Sequence, residues 1–259
     1  MDLSIINQRF IVCGASSGLG RAIAENLLEE GSQVIAIARR ANLLQELQSK
    51  YGKEKITVIP GDLRNENTIR GIEENAKKYV IHGILLNAGG PPAKKAIETT
   101  MDDWDEAYHL VMRWKINLTK RLLPYLMKQE YGRILFLESQ SIKQPVESLV
   151  LSNAYRAGIA GFAKTLALEI ASSGVTVNII APGSHDSPAI ERVIQKAAEQ
   201  QGISYQEAQK RLEDNIPVKR IGKPGELAKL AVWMLSPLSG YMTGQIINHD
   251  GGFNKSLFG

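Results

Sequence analysis

Short runs of apolar, often β-branched residues alternate along the chain with longer segments whose apolar positions recur at helical spacing. The runs at 10–13, 34–38, 56–59, 84–86, 134–137 and 175–180 predict strands. The segment 21–30 predicts a helix, with Ala22, Ile23 and Leu27 on one face and Gly31 as its stop. Further helices are predicted over 43–50, 68–78, 102–129 and 152–172, with Pro124 bending the fourth of these five. Strand–helix alternation of this regularity implies right-handed crossovers, hence an α/β doubly wound parallel sheet covered by helices on both faces.

A chain of 259 residues without a Pro-, Gly- or Ser-rich linker and without a repeat is expected to form a single domain, 1–259. After the sixth strand the segment 184–215 is polar and helix-prone, with no strand signal. It is expected to form a helical flap beside the C-terminal edge of the sheet, where open α/β sheets bind ligands.

Composition changes this picture little. The chain is 44% hydrophobic and 22% charged, which excludes disorder. Its formal charge of +4 and lack of a long Lys/Arg run argue against a nucleic-acid partner. Cys13 is the sole cysteine, so neither an intrachain disulfide nor a cysteine-built zinc site forms, and no His-x-x-x-His spacing suggests another metal. The start Met1-Asp2-Leu3-Ser4 lacks the basic flank of a secretory leader. The most apolar stretch, 149–171, is broken by Arg156, Lys164 and Glu169, so no membrane segment is expected. A cytoplasmic protein is expected.

The first strand runs into Gly14-Ala15-Ser16-Ser17-Gly18-Leu19-Gly20, and a helix follows. Glycines allow a tight turn and a close approach of backbone to a pyrophosphate, to which the helix N-terminus offers free N–H groups. The second strand ends Ala38-Arg39-Arg40. NAD sites place a carboxylate there for the ribose hydroxyl, whereas arginine suits a 2′-phosphate, so NADP is expected in preference to NAD.

The spacing Gly14-x-x-x-Gly18-x-Gly20 resembles that of the short-chain dehydrogenase/reductase family. So do Gly61-Asp62-Leu63 after the third strand, Asn87-Ala88-Gly89 after the fourth, Asn178 to Gly183 with its Pro182-Gly183 turn, and Asp250-Gly251-Gly252. The resemblance covers the whole chain and is nearest to 3-oxoacyl-carrier-protein reductases. It implies a Rossmann-type fold, an oxidoreductase acting on a carbonyl/alcohol pair (a small carbonyl compound or acyl thioester), and a homo-oligomer, dimer or tetramer. The last is expected to pair through the helix carrying Ala157, Gly158, Ala160 and Gly161 and the long helix before it. Asp62 matches the family's adenine-contacting residue.

The resemblance also implies a catalytic tetrad of Asn, Ser, Tyr and Lys, from which this chain departs. The serine falls at Ser139, but the tyrosine position holds Ser152, the lysine position Arg156 and the asparagine position Val111. A serine hydroxyl is a far weaker acid than a phenol, and a guanidinium does not release a proton near neutral pH. The usual proton relay is therefore missing. Ser139 and Ser152 can both polarise a carbonyl. Tyr155, three residues past Ser152, can share its helix face. His185, after Pro182-Gly183, is a second candidate acid, though a solvated loop histidine is the simpler expectation. Glu138 is expected to point away from Ser139 by strand alternation and to have no part in the site. Two functions fit: a reductase with a non-standard proton donor, or a catalytically silent NADP(H)-binding sensor or scaffold.

Overall fold

The computed structural model describes residues 2–257. Seven parallel strands form one sheet in the order β3-β2-β1-β4-β5-β6-β7. These are β1 (Arg9–Cys13), β2 (Gln33–Ala38), β3 (Ile56–Pro60), β4 (Gly83–Leu86), β5 (Gly132–Leu137), β6 (Val175–Pro182) and β7 (Ile246–His249). The predicted six are present within one or two residues at each end. β7 carries no strong pattern of its own and is half-buried at the sheet edge, where it pairs Ile246 with Ile179 and His249 with Pro182.

The strands are apolar on both sides because helices cover both faces. On one face Ile11, Ile84, Ile134 and Phe136 pack with Leu118 and Ile159. Those two residues lie on α5 (Trp114–Lys128) and α6 (Val150–Glu169). On the other face Phe10, Val12, Leu85 and Leu135 pack with Leu27 of α1 (Gly18–Glu29) and Leu227 of α9 (Pro224–Leu235). Helices α2 (Ala41–Tyr51) and α3 (Glu66–Lys78) complete the two layers.

The predicted helix over 102–129 is divided. α4 (Met101–Ala107) passes into a π-helical segment, Tyr108–Arg113, before α5 begins. The departure from α geometry thus falls at 108–113, while Pro124 lies inside α5. A π turn adds a residue per turn and rotates everything after it, a device frequent at functional sites. Val111 within this segment and Lys115 in the first turn of α5 are both buried. The polar segment after β6 forms α7 (Pro188–Gln201) and α8 (Tyr205–Asp214), which share a small core of Ile194, Ala198 and Ala208.

Candidate active site

The sheet order turns outward in both directions from β1 and β4, so a crevice opens beyond their C-terminal ends. Gly14 there has φ +73°, and a Cβ on it would stand 2.7 Å from Asn87 Nδ2. A Cβ on Gly20 would meet the Gly14 carbonyl oxygen at 2.4 Å. The glycine turn and the Asn87-Ala88-Gly89 segment therefore pack backbone against backbone, and only glycine fits.

Ser17 caps α1 without a side-chain bond to the helix. Its hydroxyl instead accepts from Arg40, which also donates to Ser16 Oγ at 3.2 Å. The first-turn N–H groups of α1 are thus left for an anion, and Arg40 stands over the same turn. Arg39 and Arg40 are exposed, and Leu63 is buried below. Asp62 accepts a forked bond from Arg64, 2.8 Å at the shortest, which holds its carboxyl below the usual range. Gly18 lies under the start of α7, since a Cβ there would touch Ser187 at 3.4 Å. This end of the crevice fits a dinucleotide: a cramped glycine turn, an uncapped helix start and a guanidinium beside the second strand.

The other end gathers residues from β5 and α6. Ser139 follows β5, and its Oγ accepts from the Ser141 N–H at 3.2 Å. Its own hydroxyl proton remains to be donated. The short turn Gln140–Ile142 that Ser139 begins packs against α6. On α6, Ser152 and Arg156 are both buried, and Arg156 Nε donates to Ser152 Oγ at 2.9 Å.

Arg156 also donates from NH1 to Glu138 Oε2 at 2.9 Å and to the Glu138 carbonyl at 3.1 Å. The second Glu138 oxygen receives Lys115 Nζ. Burial pushes the Lys115 ammonium below its ordinary pKa, against the pull of Glu138. Alternation does turn Glu138 toward the α5–α6 face, but that is the face carrying Arg156. Glu138 is thus a central member of the cluster, correcting the expectation that it stands apart. No local signal marks Lys115, because its approach depends on α5 lying against β5.

Tyr155 is not brought into this cluster. Its hydroxyl donates to the Trp104 carbonyl at 2.9 Å, and its ring sits edge-on to Trp104. Helical spacing of three residues places it a sector away from Ser152, toward α4. Burial raises its phenol above the usual pKa.

His185 is not a solvated loop residue. It is 4% exposed; Nδ1 stands 3.1 Å from the Gly183 carbonyl and Nε2 2.8 Å from Nδ1 of His249. Burial lowers its pKa. The pair lines a cavity of about 370 Å³ with Arg220, Glu226 and Asp250. Gly183 itself sits against Asp250, 2.8 Å from where its Cβ would lie. Among the described residues no cluster of His, Cys, Asp and Glu could hold a metal, and no helix is long and apolar enough to cross a membrane.

Fold and crevice together define a Rossmann-type α/β protein built around a dinucleotide-shaped turn. Residues 14–254 match the family model described as enoyl-(acyl carrier protein) reductase. The chain is 31% identical to the 3-oxoacyl-[acyl-carrier-protein] reductase FabG of Thermotoga maritima, covering 93% of this chain and 96% of that protein. It is 25% identical to the NADPH-dependent reductase BacG of Bacillus subtilis over 95% of this chain and 97% of that one. Among solved structures, L-sorbose reductase from Gluconobacter frateurii, complexed with NADPH and L-sorbose, superposes with a TM-score of 0.92 at 26% identity, covering 99% and 100% of the two chains. The chain belongs to the short-chain dehydrogenase/reductase family.

Proposed function

We propose that the protein is an NADP-dependent oxidoreductase acting on a carbonyl/alcohol pair of a small carbonyl compound or acyl thioester, with a rebuilt set of groups around the carbonyl oxygen. The observation that carries this is the juxtaposition, along one sheet edge, of the Arg40-covered glycine turn and the hydroxyl–guanidinium pair of Ser152 and Arg156. Arg40 and the α1 N-terminus would hold the phosphates, with Arg39 beside them, and Asp62, Leu63 and Asn87 to Gly89 would line the adenosine and ribose. Pro182 and Gly183 would border the nicotinamide. Matching the family pattern, Ser139, Ser152, Arg156 and Val111 stand at the tetrad positions.

When bound, NADPH supplies the hydride that converts the carbonyl carbon to an alkoxide, and a solvent proton completes the alcohol. The chain's own residues act on the oxygen. Arg156 donates to Ser152 Oγ, and an acceptor of a charged hydrogen bond becomes a stronger donor in turn. Ser152 can therefore donate to the developing oxyanion, with Ser139 as a second donor and the guanidinium as nearby charge. Val111 contributes no polar group, so water is not held there by this residue.

The flap 184–215, made of α7 and α8, would close over the substrate from its base at Ser187. A homo-oligomer through α5 and α6 is part of the proposal, supported by Leu168 of α6 standing 71% exposed. A cytoplasmic location is proposed on the single buried thiol of Cys13.

The test pairs binding with turnover. NADPH and NADH affinities are measured by fluorescence, and NADPH oxidation is followed with aldehydes, ketones and oxoacyl thioesters. Tight NADPH binding with turnover of one substrate class supports the proposal. Tight binding without turnover across the panel assigns the protein to the silent-binder class instead.

A further inference from the structure

Two histidines at the root of the flap are joined in a way that fixes where their protons lie. His185 Nδ1 stands 3.1 Å from the Gly183 carbonyl oxygen, which only accepts, so Nδ1 carries the hydrogen. In the neutral ring Nε2 is then an acceptor, and it takes the Nδ1–H of His249 at 2.8 Å. His249 is half-buried and can hold one extra proton on its other nitrogen with this bond intact. Protonating both rings sets two N–H groups against each other across the same gap, and the bond is lost.

No carboxylate bonds either ring among the described residues. The charged groups beside the pair are Arg220 before α9, Glu226 on α9 and Asp250 at the end of β7. Glu226 is held by Arg220 through bonds of 2.7 and 2.8 Å. Asp250 accepts from the Gly252 and Asn254 N–H groups at 3.0 Å each, and Asp186 is exposed. Burial of the His185 ring opposes its charged form.

Three backbone segments meet at this ring. Gly183 donates its N–H to the His249 carbonyl at 3.0 Å and receives the ring at its own carbonyl. Gly222 donates to the Ser184 carbonyl at 3.0 Å and accepts from the Asp186 N–H at 2.9 Å. The ring lies against Gly222, where a Cβ would stand 2.8 Å from Nε2. Ser187 then caps α7 and donates to the His185 carbonyl at 3.1 Å. The pair thus ties the Gly183 turn and the start of the flap to the end of β7.

We infer that His185 and His249 are a proton-operated latch on the coenzyme site. Closed, it holds the Gly183 turn in place. With both rings protonated it parts, and the nicotinamide end of the crevice loosens while the phosphate end keeps its grip. The inference rests on the reading that Pro182 and Gly183 border the nicotinamide. Both histidines are positioning residues, acting through Gly183. The second proton enters a buried ring, so the latch parts below the ordinary histidine pKa of about 6.5.

The test compares NADP+ with 2′-phospho-ADP-ribose, which carries the same phosphates and lacks the nicotinamide. Calorimetry on the full-length protein at pH 7.5 and 5.0 reads both. The Kd of NADP+ should rise about threefold or more beyond that of the fragment, because only NADP+ reaches the Gly183 turn. Hydrogen exchange reads the latch without ligand: protection of the Asp186 and Gly222 N–H groups should fall about tenfold at pH 5.0 while that of β1 holds. His249→Asn keeps an N–H donor and takes no proton, so the excess rise should vanish. Equal pH dependence for the two ligands, or unchanged protection at Asp186 and Gly222, overturns the inference, and neither result needs a variant. An excess rise that persists in His249→Asn also overturns it. Binding of neither ligand at pH 7.5 would sink the coenzyme reading and this inference together. Binding of both with the same pH dependence would sink the latch alone.

Discussion

Glu138 Oε2 lies 2.9 Å from Arg156 NH1, and the two side chains are 0% and 8% exposed. A pair at that depth does not earn its place by stability, since well-packed apolar residues of similar volume are often as stable. What it does is hold a guanidinium in one orientation at the crevice, with its carboxylate fixed by a second cation, Lys115.

Glu138→Gln leaves two buried cations without their counter-charge and should destabilise the protein by about 3–5 kcal/mol. Adding Lys115→Met removes one of those cations and should restore a large part of the loss. Urea unfolding of the four members of this cycle measures the coupling. Additive losses would show that the cluster does not act as a unit.

Arg40→Ala removes a donor to Ser16 and the charge over the glycine turn. It should weaken NADPH binding roughly tenfold to a hundredfold, the range for charge-assisted hydrogen bonds, and change NADH binding little. Fluorescence titration with both coenzymes reads the ratio. An equal loss for both would place Arg40 away from the 2′-phosphate.

Gly20→Ala puts a methyl group 2.4 Å from the Gly14 carbonyl. The turn must open, at a cost of about 1–3 kcal/mol for overpacking, and dinucleotide affinity should fall with it. Thermal unfolding with and without NADPH separates the two effects.

Tyr155→Phe deletes the bond to the Trp104 carbonyl. A stability loss of about 0.5–1.5 kcal/mol is expected, with kcat changed less than twofold, because the phenol faces α4. A drop in kcat of a hundredfold would make Tyr155 the proton donor after all.

Burial lowers the pKa of His185 below its unfolded value. The unfolded chain therefore takes up a proton at this residue first as pH falls, and the neutral buried form contributes stability that is complete above the ordinary histidine pKa of about 6.5. That contribution is lost on acidification through the lowered folded value. The melting temperature should fall between pH 7 and 5, and the fall should be smaller in His185→Gln, which removes the titrating ring. An unchanged slope in the variant would assign the acid sensitivity to other groups.

Six strands, their helices and the dinucleotide turn were legible because each is written in neighbouring residues. Hydrophobic period marks the strand, the glycine spacing marks the turn, and Arg39-Arg40 lies at the strand end. The π segment was not legible, because the buried positions Ala107, Val111, Trp114, Leu118 and Leu122 still recur three or four residues apart across it. β7 was missed because Ile246 to His249 is short and draws its place from β6. Tyr155 illustrates the limit of spacing: i and i+3 are neighbours on a helix, yet Ser152 faces Arg156 while Tyr155 faces Trp104.

Local order along the chain determined a doubly wound sheet and the cramped glycine turn. The union of Lys115, Glu138 and Arg156 was decided only by tertiary structure. These residues lie on three different elements, and their meeting depends on α5 and α6 covering the same face beside β5. Electrostatic partnership between distant residues leaves no period in a sequence, because charge acts through space and the chain records only succession.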